Sequence, residues 1–233
     1  MENHLILDFD GTLADSSPGI HYSFSLACNK LGLHSPPLDK FHLLIGPPVQ
    51  HIACNLFPHL DSLGLEKFRV AFREDYDKKS YLYSDWYPGV PETLVKLAAY
   101  PGLRLSVVTN KPTRPTIDLL SSCNLLHLFD RVIGIDYLQH MKSGTVFQSK
   151  VDALRYVLLS SSFVSRYCFY VGDTPGDQMA CSKCDIPFVA ALYGFHHWDN
   201  ERRPLFCIEN FTSLFSLILD PNFFAHVGNY VAR

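Results

Sequence analysis

Short apolar runs alternate with helical patterns along most of the chain, and each run stops at polar or glycine-containing sequence. The runs are rich in β-branched or aromatic residues and have the length of strands that are covered on both faces. The predicted strands are 4–7, 103–108, 131–135, 167–171 and 187–192, and the predicted helices are 91–99, 114–123, 151–159 and 175–184. This alternation predicts an α/β fold built on a parallel sheet.

The stretch 16–84 departs from the alternation, because its apolar residues follow helical spacing and it contains no clear strand. Ile20 and Phe24 begin one helical series, and Phe68 and Phe72 belong to another. The sequence therefore predicts two domains, an α/β core of residues 1–15 and 85–233 and an inserted helical module of residues 16–84. From residue 211 onwards, the pattern predicts one amphipathic helix and an irregular tail.

Composition and charge exclude several classes of protein. The 233 residues are 47% hydrophobic and 18% charged, as in a globular protein with a substantial core. A net charge of −3 offers no basic surface, so we expect no nucleic-acid partner. No apolar run reaches the roughly 18 residues of a membrane helix, and the N-terminus does not resemble a secretion signal. We therefore expect no membrane association and a cytoplasmic location.

The seven cysteines are scattered and do not form a disulfide framework. Cys181 and Cys184 make a C-x-x-C pair, but the second pair or the nearby histidines of a zinc site are missing, as are the surroundings of a redox motif. We interpret both as inert cysteines that share one face of a predicted helix.

Polar clusters that can carry chemistry fall at strand ends of the predicted sheet, where open α/β sheets bind ligands. They are Asp8 with Asp10 and Gly11, Thr109 with Asn110, Lys150 at the start of a helical pattern, and Asp173 with Asp177. Each cluster alone has an ordinary explanation, such as a turn, a helix cap or a solvated surface charge. Their combination and order favour a functional site.

The combination meets the needs of phosphoryl transfer to a carboxylate. A carboxylate that attacks a phosphate dianion meets like charge, so a divalent cation and a lysine must offset it. Mg²⁺ prefers oxygen ligands, which suits a group of carboxylates without histidine. We predict Mg²⁺ as the cofactor, Asp8 as nucleophile and metal ligand, and Asp173 as a second ligand. Asp177, one helical turn further on, would bind the metal or order its waters.

The remaining residues have predicted roles in binding and proton transfer. Thr109 and the backbone amides near Asn110 would hold the oxygens of the phosphoryl group. Lys150 would neutralise both the nucleophile and that group. Asp10 would donate a proton to the leaving oxygen and later accept one from the hydrolytic water.

Three segments carry a resemblance to a known family: DFDGTLADS, VVTNKP and VGDTPGDQMAC. In this order they resemble the haloacid dehalogenase superfamily, in its branch of phosphoglycolate-phosphatase-like hydrolases with a helical cap. The resemblance implies a doubly wound, Rossmann-like core, a cap after the first motif and the same residue roles. It also implies that Asp10 binds the metal through its backbone carbonyl. The expected enzyme is a phosphoric monoester hydrolase that acts on a small phosphorylated metabolite through an aspartyl phosphate, as a monomer or homodimer.

Two assignments have alternatives. Lys142 and Lys150 are both candidates for the active-site lysine, and Lys150 is favoured because it begins the helical pattern before the strand of the last motif. The loop at Gly46 resembles a cap loop that faces the active site in relatives, so Gly46 is a candidate substrate contact. A plain helix–helix turn explains this loop equally well.

A sugar phosphomutase of the same superfamily is the main alternative, because it would keep both aspartates and differ in cap residues. Other functions fit the sequence less well, since a haloacid dehalogenase needs neither a metal nor Asp10. A phosphonate-cleaving relative would need a cap lysine, and Lys30 and Lys40 have no supporting context. A signalling receiver domain has no helical insertion after its first strand. A non-catalytic phosphate-binding protein would be expected to lack one of the clusters.

Overall fold

The computed structural model describes residues 2–144, 146–160, 165–199, 203–220, 222–224 and 227. Contacts between residues divide the chain into two compact units, one of Met1–Ala14 with Trp86–Arg233 and one of Asp15–Asp85. The helical module predicted from the sequence, residues 16–84, begins one residue later and ends one residue earlier than this second unit.

The helices and strands alternate in the first unit, whereas the second is almost entirely helical. The strands are β1 (Glu2–Leu7), β2 (Ala14–Asp15), β3 (Asp85–Trp86), β4 (Leu103–Val108), β5 (Arg131–Ile133), β6 (Ser165–Gly172), β7 (Phe188–Ala191) and β8 (Phe206–Ile208). The helices are α1 (Ser17–Lys30), α2 (Leu38–Phe41), α3 (Val49–Leu56), α4 (Ser62–Tyr76), α5 (Val90–Ala98), α6 (Thr113–Ser122), α7 (Tyr137–His140), α8 (Lys150–Ser160), α9 (Pro175–Ser182) and α10 (Ser213–Leu219). Short 3-10 helices lie at His42–Leu44, Ser80–Leu82 and Leu126–Leu128.

A six-stranded sheet in the order β5-β4-β1-β6-β7-β8 forms the centre of the first unit, and all its neighbouring strands are parallel. Helices α5, α6, α8 and α9 pack against it. Leu5, Ile6 and Leu7 of β1 are fully buried, as expected for a strand covered on both faces. The strand order reverses at β1, and such a switch point opens a ligand crevice at the carboxyl ends of the strands. The prediction of a doubly wound α/β fold is confirmed.

Several elements differ from the prediction. Strand β8 was not predicted, because it is three residues long, lies at the sheet edge and is only partly buried. Strand β5 ends at Ile133 rather than residue 135, because the N–H of Ile135 donates to the carbonyl of Lys111 instead of extending the sheet. Helix α7 was also missed. Much of the predicted irregular tail lies outside the described residues.

The second unit has an aromatic core. The ring of Phe24 on α1 lies 4.6 Å from that of Phe41 and 4.8 Å from that of Phe68 on α4, between centroids. Asp61 caps α4 by accepting a hydrogen bond from the N–H of Gly64 at 2.7 Å. The helical spacing seen in the sequence thus corresponds to the buried faces of α1 and α4.

All seven cysteines are free thiols. Helix α9 ends at Ser182, so Cys184 lies beyond it, and the prediction that Cys181 and Cys184 share one helix was wrong. Within the described part of the chain, no helix combines the length and the apolar character needed to span a bilayer.

His4 on β1 makes folding sensitive to acid. Its side chain is buried, and its Nε2 lies 2.9 Å from the hydroxyl oxygen of Ser106 on β4. Burial lowers the pKa of His4 from 6.5 to about 4. As the pH falls between these values, the unfolded chain binds a proton that the folded protein does not bind. This one group therefore lowers the free energy of unfolding by up to about 1.4 kcal/mol per pH unit.

We expect His4→Gln to flatten the decline of stability between these two pH values by up to that slope. Urea denaturation at a series of pH values measures the effect. The control is His127→Gln, at an exposed position. If His4→Gln and the wild type lose stability in parallel as the pH falls, burial of neutral His4 is not the cause.

Candidate active site

Asp8 lies directly after β1, at the switch point of the sheet. Its N–H still donates to the carbonyl of Val171 on β6, at 2.9 Å, so the backbone at Asp8 is held by the sheet. Oδ1 of Asp8 accepts a hydrogen bond from the N–H of Phe9 at 2.8 Å, and Oδ2 accepts one from Nζ of Lys150 at 2.6 Å. Both oxygens of the buried carboxylate are therefore held in place.

Lys150, the first residue of α8, is bound between two carboxylates. Its Nζ donates to Oδ2 of Asp8 and, through a short hydrogen bond, to Oδ1 of Asp177, while the side chain keeps 8% exposure. Burial by itself lowers the pKa of Lys150, but Asp177 and Asp8 raise it above its usual value, so the ammonium stays charged. The alternative candidate, Lys142, lies in an exposed turn after α7. The structure thus brings Lys150 to Asp8 and leaves Lys142 on the surface.

Asp177 belongs to the first turn of α9 and caps it together with Thr174. The N–H of Asp177 donates to Oγ1 of Thr174, and the N–H and Oγ1 of Thr174 donate to Oδ2 of Asp177. This reciprocal capping box fixes the Asp177 carboxylate. Because Oδ1 accepts a hydrogen bond from Lys150, both carboxylate oxygens of Asp177 already have partners. If Asp177 also binds a metal, it does so in addition to these hydrogen bonds.

Asp173 follows β6 and is enclosed by two loops. Its Oδ2 accepts the N–H of Phe195 at 2.8 Å, and its carbonyl accepts the indole N–H of Trp198 at 3.1 Å. A Cβ at Gly11 would lie 2.2 Å from Oδ2 of Asp173, and one at Gly194 would lie 2.2 Å from its Cβ. Both loops therefore need glycine to approach Asp173. The sequence analysis assigned no role to Phe195 or Trp198, and Gly194, next to Phe195, was the available signal.

One oxygen from each of the buried residues Asp8, Asp173 and Asp177 lies within 4.8 Å of the others. The pKa of Asp8 is raised to about 7, because burial and the charge of Asp177 raise it more than Lys150 lowers it. Burial, followed by Asp177 and Asp8, likewise raises the pKa of Asp173 well above its usual value. Hard carboxylate oxygens under mutual repulsion suit a divalent cation, which would relieve that repulsion. The group is therefore a candidate metal site.

Thr109 and Asn110 follow β4, next to β1 in the sheet. The N–H of Thr109 donates to the carbonyl of Ile133 at 3.0 Å, so its backbone is fixed, and its side chain is buried. A hydrogen bond with Thr109 favours the ionised form of Asp8. The structure therefore brings Thr109 to Asp8, with half-buried Asn110 one residue further along.

Asp10 pairs with a lysine that the sequence analysis did not assign. Nζ of Lys111 donates to Oδ1 of Asp10 at 2.9 Å, and the Lys111 side chain is fully buried. Lys111 is part of the VVTNKP segment, two residues beyond Thr109, so its place at a strand end was a usable signal. It was missed because a lysine in a loop is normally a solvated charge.

Gly46 lies in the second unit, between the 3-10 helix His42–Leu44 and α3, with a positive φ of 137°. Its contact with substrate stays a prediction.

These features define a class of protein: a doubly wound α/β enzyme with a lysine-paired carboxylate and a candidate divalent-metal site at the switch point. A family model described as haloacid dehalogenase-like hydrolase matches residues 5–191. The chain belongs to this family.

Known relatives agree with this assignment. The phosphoglycolate phosphatase of Nitrosospira multiformis is 32% identical over 207 residues, covering 87% of this chain and 86% of that protein. The phosphoglycolate phosphatase of Colwellia psychrerythraea is 26% identical, covering 90% and 94%. A crystal structure described as a predicted phosphatase from Clostridium acetobutylicum superposes with a TM-score of 0.82 at 25% identity, covering 94% and 99%. The chain is thus an enzyme of the phosphoric monoester hydrolase type.

Proposed function

We propose that the protein is a Mg²⁺-dependent phosphatase that hydrolyses a small phosphate monoester through an aspartyl phosphate on Asp8. The observation that carries the proposal is the buried carboxylate of Asp8, bound to Lys150 and grouped with Asp173 and Asp177 at the carboxyl edge of the sheet. A carboxylate in these surroundings meets the requirements of a nucleophile toward a phosphate dianion.

The charges of the site favour a divalent cation. Four carboxyl groups and two lysines lie there: Asp8, Asp10, Asp173 and Asp177 with Lys111 and Lys150. When all four carboxyl groups are ionised, the two lysines leave two negative charges uncompensated. We propose that Asp8, Asp173 and the backbone carbonyl of Asp10 hold Mg²⁺, with Asp177 supporting them. When bound, Mg²⁺ would supply charge neutralisation and Lewis-acid polarisation of a phosphoryl oxygen.

The first half of the reaction transfers the phosphoryl group to the protein. An oxygen of Asp8 forms a bond to phosphorus while the bond between phosphorus and the ester oxygen breaks. Lys150 offsets the charge of the incoming phosphate, and Thr109 holds a phosphoryl oxygen. Asp10 gives its proton to the leaving oxygen, so an alcohol departs.

The second half restores the enzyme. Water attacks the phosphorus of the aspartyl phosphate and loses a proton to Asp10, which had given up its own proton in the first half. The bond between phosphorus and the oxygen of Asp8 breaks, inorganic phosphate leaves, and Asp8 is again a carboxylate. Asp10 therefore acts first as acid and then as base.

We propose 2-phosphoglycolate as the first substrate to test, because the similar proteins of N. multiformis and C. psychrerythraea are phosphoglycolate phosphatases. We further propose that the helical unit Asp15–Asp85 is the cap that selects the leaving group, with Gly46 as a substrate contact. The insertion of this unit directly after the motif that contains Asp8 and Asp10 supports that role.

The test is phosphate release from 2-phosphoglycolate, nucleoside monophosphates and sugar phosphates, with Mg²⁺ and with a chelator. We expect Mg²⁺-dependent release from at least one ester. Asp173→Asn should raise the Mg²⁺ concentration for half-maximal activity by about tenfold or more, whereas the exposed control Asp185→Asn should not change it. Absence of phosphate release from every ester contradicts the proposal, and transfer to a sugar in preference to water identifies a phosphomutase instead.

A further inference from the structure

We propose that Lys111 is a positioning residue that holds the carboxylate of Asp10 in the orientation needed for proton transfer. The geometry behind the proposal is the 2.9 Å hydrogen bond from Nζ of Lys111 to Oδ1 of Asp10. The inference rests on the proposed function, because it takes Asp10 as the residue that exchanges a proton with the leaving oxygen.

Burial makes Lys111 unlike a surface lysine. Its side chain is 0% exposed, and a buried ammonium needs a close opposite charge because desolvation otherwise disfavours its charged form. The ionised form of Asp10, which acts as the base in the second half of the proposed reaction, supplies that charge. The Nζ also lies 5.6 Å from the centroid of the Phe9 ring, within the range of a cation–π contact. Lys111 is therefore held between its ion-pair partner and an aromatic ring of the same strand-end loop.

The backbone of Lys111 is fixed as well. Its N–H donates to Oγ1 of Thr109 at 3.2 Å, and its carbonyl accepts the N–H of Ile135 at 3.3 Å. A Cβ at Gly134 would lie 2.4 Å from that carbonyl oxygen, so the two loops are closely packed. Because both ends of the residue are anchored, the position of its ammonium group is set by the fold.

The ion pair explains how Asp10 can be held and still react. It uses Oδ1, which leaves Oδ2 for proton transfer, and the Asp10 side chain keeps 17% exposure toward solvent. The covered ammonium of Lys111 has no exposed surface for a substrate to contact. Lys111 thus acts through Asp10, while Lys150 serves Asp8 and Asp177.

A positioning role predicts a dependence on the leaving group. An alkoxide needs a proton as it departs, whereas p-nitrophenolate leaves readily without one. Misplacing Asp10 should therefore slow hydrolysis of an alkyl phosphate more than hydrolysis of p-nitrophenyl phosphate. The loss should fall on kcat rather than KM, because the ground-state binding of substrate does not use Lys111.

The test compares Lys111→Met, Lys111→Arg, Asp10→Asn and the double variant Asp10→Asn/Lys111→Met with the wild type. The substrates are p-nitrophenyl phosphate and the best alkyl ester of the panel. We expect Lys111→Met to lower kcat for the alkyl ester by roughly 10- to 100-fold and for the aryl ester several-fold less, with Lys111→Arg restoring part of the loss. The double variant should be no slower than Asp10→Asn, since both changes affect one step. Lys96→Met, at an exposed site on α5, is the control.

Equal losses on the two substrates, a change confined to KM, or additive losses in the double variant would overturn the proposal. If Lys111→Met does not fold, the double variant carries neither buried charge, so it should fold and match Asp10→Asn, and Lys111→Arg still reports the substrate ratio. The proposed function fails separately, if the wild type hydrolyses no ester or Asp10→Asn keeps full activity on the alkyl ester.

Discussion

Asp8→Asn is expected to lower kcat/KM for every phosphate ester roughly 10⁴-fold or more, because an amide cannot take the place of the attacking carboxylate. The substitution keeps the size of the side chain, and an amide oxygen can still accept hydrogen bonds from the N–H of Phe9 or from Lys150. The loss should therefore arise from chemistry and not from unfolding. Release of inorganic phosphate under Mg²⁺ saturation measures it.

Two controls make this result specific. Asp8→Asn and the wild type should both unfold cooperatively in urea, which would show that the fold is retained. Asp185→Asn removes a carboxylate from an exposed position and should keep full activity. Activity of Asp8→Asn within about tenfold of the wild type would show that another group attacks the phosphorus.

Lys150→Met is expected to reduce both stability and activity. Without the ammonium, the buried carboxylates of Asp8 and Asp177 face each other with no shared cation. Removing one partner of a buried ion pair costs about 3–5 kcal/mol, which urea denaturation would detect. We also expect kcat/KM to fall at least roughly 100-fold, because the charge of the incoming phosphate is no longer offset.

The matched control is Lys142→Met. Lys142 is the other candidate from the sequence, and it is exposed. We expect its replacement to change the free energy of unfolding by less than about 0.5 kcal/mol and to leave kcat/KM unchanged. If Lys142→Met loses activity and Lys150→Met does not, the assignment of the active-site lysine is reversed.

The sheet could be predicted from the sequence because its central strands are buried on both faces and read as short apolar runs. Strand β4 has the bounds that were predicted, residues 103–108. Strand β8 could not be predicted in this way, since two of its three residues are partly exposed at the sheet edge and give no such run. A local apolar pattern indicates which residues are buried. An edge strand is defined instead by the hydrogen bonds of its backbone to the neighbouring strand.

The principle that open α/β sheets bind ligands at the carboxyl ends of their strands also identified main residues of the candidate site. It identified Asp8, Thr109 and Asp173 because the carboxyl ends of parallel strands meet at one edge. Lys150 was identified instead because it begins the helical pattern before the strand of the last motif. The principle did not show that Asp177 is bound to Lys150, because helical spacing gives the position of a side chain along a helix but not its partner across the site.

Lys111 shows the same limit more strongly. It follows Thr109 in a segment that was singled out, yet its role depends on being buried against Asp10, a residue 101 positions away in the sequence. Long-range burial of a charge leaves no local pattern. The identity of the substrate could not be predicted for a similar reason, because selection of a leaving group by the proposed cap would depend on contacts that leave no local pattern in the sequence.

The most direct test of the account is to trap the phosphorylated enzyme. Asp10→Asn should still accept a phosphoryl group from p-nitrophenyl phosphate, whose leaving group needs no proton, but should release it slowly because water lacks its base. We expect a burst of nitrophenolate equal to the enzyme concentration and, after acid quench, a single phosphoryl group on the peptide that contains Asp8, located on that residue by mass spectrometry. Steady turnover without a burst and without phosphorylated peptide, or a phosphoryl group on any other residue, would contradict the assignment of Asp8 as the nucleophile.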